Sequence, residues 1–398
     1  MVKFLIYATG SGYIKVLWTS VYFLFFYATR VAPRIAGPHI PKQTLVEFQV
    51  ALVYFQKSQF PIFMTNFSYG TFPRTRLRRN RQASWIRELT AQNTLLASDL
   101  ILPLFVIEGK KCEEKITHLP DVSRLSIDLV VKKAKEARDL GIPALMLFPV
   151  IDQKLKNNLA KEAFNSDNLM CRAIREIKNA VPEIGVITDV ALDPYTSHGH
   201  DGIIDARGVI ENDTTIEVLC RQALVQADAG CDIVAPSDMM DGRIGIIRDA
   251  LDNQGFQEIL MMSYAIKYAS SFYGPFRHAV GSANNLKNSD KKTYQMDFRN
   301  SNEALREIAL DVEEGADIII IKPGMPYLDI VSQAAQNFKL PIISYQVSGE
   351  YAMLKFAAQN EAFDFDAAFF ESLVSFKRAG ASAVISYGAI EAAKKLQR

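Results

Sequence analysis

Residues 317–323 read DIIIIKP, so Lys322 follows four consecutive isoleucines and immediately precedes a proline. An unbroken run of β-branched residues, with no alternation of polar side chains, reads as a strand covered on both faces, the pattern of parallel sheets. Proline cannot donate to a sheet ladder and ends the strand at the lysine. A side chain that seeks water is thus delivered to the end of a buried strand.

Seven other short apolar runs share this character: LILPLFVIE (100–108), ALMLFPV (144–150), GVITDVAL (185–192), DIVAPSD (232–238), EILMMSY (258–264), PIISYQV (341–347) and SAVISYG (382–388). Between them lie amphipathic segments such as IDLVVKKAKEARDLG, TIEVLCRQALVQADAG and NEALREIALDVEEGAD, each reaching a glycine just before the next run, as a helix C-terminus requires. Strands that alternate with helices build parallel sheets, and eight such units predict a closed (β/α)8 TIM barrel over residues 99–398. A doubly wound open sheet is the alternative. No GxGxxG follows the first run, so the dinucleotide fingerprint of that fold is missing.

A barrel gives polar residues at strand ends a common address, because active sites of this fold form at the C-terminal ends of the strands. Lys322 ends the sixth run, and Lys267 lies just past the fifth, on a neighbouring strand about 5 Å away. Asp189, Ser237, Asp238, Tyr345, Ser348 and Tyr387 occupy corresponding positions. A lone lysine at a strand end usually reaches out to water or pairs with a carboxylate. Two on adjacent strands favour Schiff-base chemistry on carbonyl compounds, since burial and a second cation both depress an amine's pKa. The hydroxyls suit carboxylate binding or proton relay.

More than fifty residues separate the fifth and sixth runs, and residues 268–298 read as an active-site lid. Arg277, Lys287, Lys291 and Lys292 make it basic, either as a solvated loop or as a cationic cover for an anionic, carboxylate-bearing substrate. The segment TDVALDPYTSHGHDG (188–202) collects Asp189, Asp193, His198, His200 and Asp201, a mixture compatible with a hard ion, with zinc, or with no ion.

Composition narrows the rest. With 49% hydrophobic and 22% charged residues and a net charge of +1, the 398-residue chain is neither disordered nor generally attracted to nucleic acid. Four dispersed cysteines form no CxxC pair, which points to a reducing cytoplasmic setting without disulfides. Residues 1–71 are foreign to this pattern. YIKVLWTSVYFLFFYAT (13–29) approaches the length of a short membrane span, but Gly10 and Gly12 precede it and no A-x-A-like cleavage site follows. A loose extension, or a true start near Met64, is preferred to a membrane anchor. Residues 72–98 precede the barrel, and their RTRLRRNRQ (74–82), read alone, suggests a nucleic-acid or anionic-membrane partner.

The motifs MMDGR (239–243), MMSYAIKYASSFYGPFR (261–277), YQMD (294–297), IKPGMPYLDIV (321–331) and YQVSGEYAML (345–354) resemble the porphobilinogen synthase family, also called δ-aminolevulinic acid dehydratase, from about Phe72 to the C-terminus. The resemblance implies a barrel enzyme, a hydro-lyase of tetrapyrrole and heme biosynthesis, that condenses two 5-aminolevulinate molecules into porphobilinogen with loss of two waters. It implies Schiff bases at Lys322 (propionate-side substrate) and Lys267 (acetate-side substrate), with Asp189 and Ser237 supporting the lysines and proton transfer. Arg277 and Lys291 would bind the acetate-side carboxylate, and Ser348 and Tyr387, near Tyr345, the propionate-side one.

Zinc-dependent members carry cysteines where this chain has Ala191, Asp193 and Asp201, so a catalytic zinc is not expected. The aspartate-rich version resembles the magnesium-responsive, allosteric group, with Glu307 as the ion's carboxylate and Asp238 as an outer contact; no organic cofactor is implied. The family's arm packs on a neighbouring subunit of a homo-octamer, which recasts the arginine-rich stretch as an assembly element; neither nucleic acid nor membrane is then expected as a partner. An aldolase-type barrel with one Schiff-base lysine, or a catalytically silent barrel anchored by its N-terminus, are the rival readings.

Overall fold

Eight parallel strands close into a ring in the computed structural model, which describes residues 70–281 and 290–397. In chain order the strands are β1 (Leu100–Ile107), β2 (Glu113–Lys115), β3 (Ser123–Ser126), β4 (Ala144–Pro149), β5 (Gly185–Val190), β6 (Ile233–Pro236), β7 (Leu260–Lys267), β8 (Ile318–Lys322), β9 (Ile342–Gln346) and β10 (Ala383–Ser386). The ring runs β1-β4-β5-β6-β7-β8-β9-β10 and closes where Leu100 pairs with Val384 and Ile101 with Ile385. This is the (β/α)8 barrel expected from the eight runs: seven of them contain one ring strand each, and the fifth holds the start of another.

Burial explains the pattern. All eight residues of β1 and four of the five in β8 are buried, because side chains alternate between a filled lumen and a jacket of helices. The helices Asn212–Asp228 and Asn302–Glu313 stop as foreseen: Gly230 and Gly315 follow with φ of +98° and +101°, a left-handed turn that side-chain-bearing residues resist.

Three features depart from the sequence reading. The fifth run does not end at Tyr264 but continues to Lys267, because a bulge between Ser263 and Ile266 shifts the register with β8 and conceals the strand's true length. Between β1 and β4 lies an additional hairpin, with β3 parallel to the end of β1 and β2 antiparallel to β3. Its three exposed residues, Glu113–Lys115, have no strand-like alternation to betray them. The lid opens with regular structure, a 3-10 turn (Ser271–Tyr273) and a helix (Gly274–Ala279). Arg124 of the hairpin donates to the carbonyls of Ala279 and His278 at 2.7 and 2.9 Å and holds the end of that helix. Lys287 and the apolar stretch 13–29 lie outside the described residues.

The chain divides into two units, Met1–Gln82 and Ala83–Arg398. In the described part of the first, Leu77–Arg81 form a 3-10 turn. Among the described residues no helix is long and apolar enough to cross a membrane.

Candidate active site

β7 and β8 end side by side, with Lys267 and Lys322 directly paired across the ladder. Directly opposed residues point to the same face of a sheet, so both amines enter the barrel mouth together. Each lysine is buried, at 6% and 5% exposure. Rings surround Lys322: its Nζ lies 4.7 Å from the ring centre of Tyr345, 4.9 Å from Phe276, 5.1 Å from Tyr264 and 5.3 Å from Tyr273. Ring faces attract a cation, yet the loss of water dominates. Burial, reinforced by Lys267, pushes the Lys322 ammonium down to about 7, so a large share of this amine is neutral and nucleophilic at physiological pH.

Lys267 sits in a more polar corner. Its Nζ donates to the Ser237 carbonyl and forms an ion pair with Asp201 at 3.5 Å. β6 ends at Pro236, and Ser237 directly after it lines the mouth, whereas Asp238 does not. Asp189, on β5, is buried in the same cavity; burial raises its carboxyl to about 6 against the opposing pull of Lys267. A carboxyl group that titrates near neutrality can both take and return a proton.

The lid reaches this corner through residues 291–295. Lys291 forms ion pairs with Asp201 at 2.6 Å and Asp193 at 3.1 Å, and Tyr294 donates its hydroxyl to Asp201 at 2.9 Å. Burial works against the Lys291 cation, but the two aspartates outweigh it and raise its pKa. Asp201 is held well below the ordinary carboxylate range: burial is overcome chiefly by Lys267 and Lys291. Two positions at which the resemblance places zinc cysteines therefore serve here as carboxylate anchors for lysines. The third, Ala191, is buried and its carbonyl accepts a hydrogen bond from Gln222 at 3.2 Å.

One cavity brings together Lys267, Lys322, Asp189, Asp193, Asp201, Ser237, Arg277 and Lys291. Ser348 and Tyr387 do not line it. Ser348 accepts the Phe276 amide at 2.9 Å, and Tyr387 meets the Tyr345 hydroxyl at 3.1 Å, so both adjoin Lys322 through residues of its aromatic surround. Tyr264, Tyr273 and Phe276 escaped the sequence reading. Only their place in the YGPFR and SYAIK stretches that carry the family resemblance hinted at them, because an aromatic residue beside apolar neighbours looks like core.

Glu307 lies elsewhere. It is half-buried on the helix Asn302–Glu313 and lines a second cavity of about 770 Å³ with Asp241, Glu303, His200 and Tyr294. Gln295 borders both cavities. Burial and then Asp311 raise the Glu307 carboxyl, with Asp241 and Glu303 adding to the rise and Arg243 opposing it. Asp238 faces Arg243 at 3.9 Å and accepts the Met240 amide at 2.7 Å; its burial lifts it to about 6 against the attraction of Arg243.

The delta-aminolevulinic acid dehydratase family matches residues 74–395. A relative of that name from Bradyrhizobium diazoefficiens is 56% identical over 322 residues, covering 81% of this chain and 91% of its own. One from Rhodobacter capsulatus is 48% identical, covering 81% and 97%. The crystal structure of delta-aminolevulinic acid dehydratase (porphobilinogen synthase) from Toxoplasma gondii ME49, in complex with the reaction product porphobilinogen, superposes with a TM-score of 0.79 at 49% identity, covering 81% of this chain and 91% of that one. With paired lysines at the mouth of a closed barrel and matches of this extent, the chain belongs to the delta-aminolevulinic acid dehydratase family.

Proposed function

We propose that this chain is a porphobilinogen synthase, a hydro-lyase of heme and other tetrapyrrole biosynthesis that joins two molecules of 5-aminolevulinate through two lysine imines. The observation that carries the reading is the direct pairing of two buried lysines, one of them shifted to about 7. Each amine attacks a ketone carbon, and the ketone oxygen leaves as water. Loss of a proton beside one imine gives an enamine whose carbon attacks the other substrate. That attack leaves the second lysine bonded as a secondary amine, which departs by elimination with a proton from the attacking carbon. The second substrate's free amine then displaces the first lysine to close the ring, and a last deprotonation makes the pyrrole.

In this scheme Lys322 holds the propionate-side substrate and Lys267 the acetate-side one, while Asp189 and Ser237 support the lysines and proton transfer. Arg277 and Lys291 receive the acetate-side carboxylate, which displaces Asp193 and Asp201 from Lys291. Ser348, Tyr345 and Tyr387 receive the propionate-side carboxylate, which requires the Phe276 ring and amide to yield. The pH dependence follows from Lys322. Imine formation there needs the neutral amine, so trapping at Lys322 is expected to fall about tenfold per unit below its value of about 7 and to level off above it. Cyanoborohydride reduction followed by peptide mass mapping reads this directly; a profile flat from pH 5 to 7 would contradict it.

We further propose that magnesium, not zinc, supports the enzyme. Among the described residues no three side chains converge as a ready metal-ligand cluster. Glu307 would therefore hold the ion as a single hard carboxylate in the cavity that Asp241 and Glu303 also line, with water supplying most of its shell and Asp238 as an outer contact. The ion there would supply positive charge that settles the carboxylates. Incubation with 5-aminolevulinate in magnesium, zinc or chelator tests both proposals: pyrrole should form and magnesium should raise its rate. A folded protein that yields no pyrrole in any condition sinks the function, whereas a need for zinc alone sinks only the metal.

The arm is read as an assembly element of a homo-octamer. Phe72, Leu77, Trp85, Leu89 and Leu96 are all more than half exposed, an apolar series that suits a neighbouring subunit. Light scattering that returns a monomer would overturn this. A cytoplasmic location is proposed as well, and recovery of full-length protein, but not of a chain started at Met64, with membranes would reverse it.

A further inference from the structure

The bulge in β7 decides where Lys267 points. Met262 and Ser263 pair with Ile318 and Ile319, but Ile266 and Lys267 pair with Ile321 and Lys322, so Tyr264 and Ala265 together face the single residue Ile320. Had the first register continued, Ile266 would stand opposite Lys322 and Lys267 opposite Pro323. Side chains alternate along a strand, so a slip of one residue sends each to the other face. In that register, with the same sequence, the two amines would leave the sheet on opposite sides, one to the lumen and one to the helical jacket. The paired-lysine site exists because the bulge exists.

A bulge leaves backbone groups outside the regular ladder. Here the carbonyl of Tyr264, inside the bulge, accepts from Nη2 of Arg243 at 3.2 Å. Arg243 begins the helix Arg243–Asn253 and is 2% exposed. A guanidinium buried this deeply is costly unless its donors are engaged. Nη1 donates to the Met240 carbonyl at 3.3 Å, Nη2 reaches Ser263 Oγ at 3.4 Å, and both meet the carboxylate of Asp311, at 3.3 and 3.2 Å. Ser263 also bonds to Asp311. Arg243 thus joins the bulge to the loop that begins with Ser237 and Asp238, and the Ser237 carbonyl is the group that Lys267 Nζ touches.

We propose that Arg243, locked by Asp311, is a positioning residue for Lys267: it holds the β7 bulge that turns this lysine into the lumen. Lys322, on the neighbouring strand and fixed by its own aromatic surround, does not depend on it. The inference rests on the two-imine reading above, and its test separates the two. The protein is incubated with 4-oxopentanoate, the substrate lacking its amine and so unable to form a pyrrole, reduced with cyanoborohydride, and mapped by peptide mass. In the unaltered protein both lysines should be labelled; labelling at neither would refute the two-imine reading itself. In Arg243→Lys, labelling at Lys267 should fall at least about tenfold while labelling at Lys322 stays within about twofold. Asp311→Asn, which loosens the same grip without removing the guanidinium, should give the same selective loss at smaller size, and it decides the matter if Arg243→Lys does not fold. Equal labelling of both lysines in a folded variant, or equal loss at both, overturns the proposal.

Discussion

Lys322→Met is expected to abolish pyrrole formation, by at least about a thousandfold, while leaving the protein folded and more resistant to heat. Methionine nearly matches the lysine stem in volume and suits the rings that surround this position. It also removes a cation that burial disfavours. The sign of the pH effect follows. In the unfolded chain the amine titrates near 10.5 and in the folded one at about 7, so the cost of burying the charge is complete below 7 and disappears by about 10.5. The variant's thermal advantage should therefore be greatest in acid and fade through the alkaline range. Activity loss accompanied by a higher melting temperature would separate chemistry from folding. A variant that keeps turnover would remove Lys322 from the mechanism.

Lys267→Met distinguishes the two-imine enzyme from a single-lysine aldolase. Product formation is expected to fall by a comparable factor, about a thousandfold, but a carbonyl probe should still be trapped at Lys322. An aldolase-type barrel would keep substantial turnover. This variant should be less stable than Lys322→Met. Lys267 is engaged with Asp201 and the Ser237 carbonyl, and its loss leaves buried acceptors short of a donor. Chemical denaturation of the two variants side by side measures the difference, and equal stability would show that the Asp201 contact carries little.

The fold was legible in the sequence for a definite reason. DIIIIKP and its seven counterparts sit between a lumen and a shell of helices, and covering both faces removes the polar alternation that would otherwise blur them. The lysines were legible because a charge at the end of such a run has few structural explanations. Other parts were hidden by physics that does not write itself locally. The bulge inserts a residue without changing composition, so the end of β7 was read three residues early. Tyr264 and Phe276 are indistinguishable from core until Lys322 is seen among them. Lys291 was assigned to substrate, whereas its contacts with Asp193 and Asp201 join segments almost a hundred residues apart and show what it does with its charge beforehand.

The seam between β1 and β10 carries a consequence for biosynthesis. The ladder that seals the ring joins Leu100 to Val384, so the first strand made must wait for the last. Until then a nascent chain on the ribosome holds an open sheet with two unsatisfied borders, each a template for pairing with another polypeptide. Premature termination anywhere before Ala383 should accordingly yield insoluble fragments that sequester chaperones rather than a smaller working enzyme.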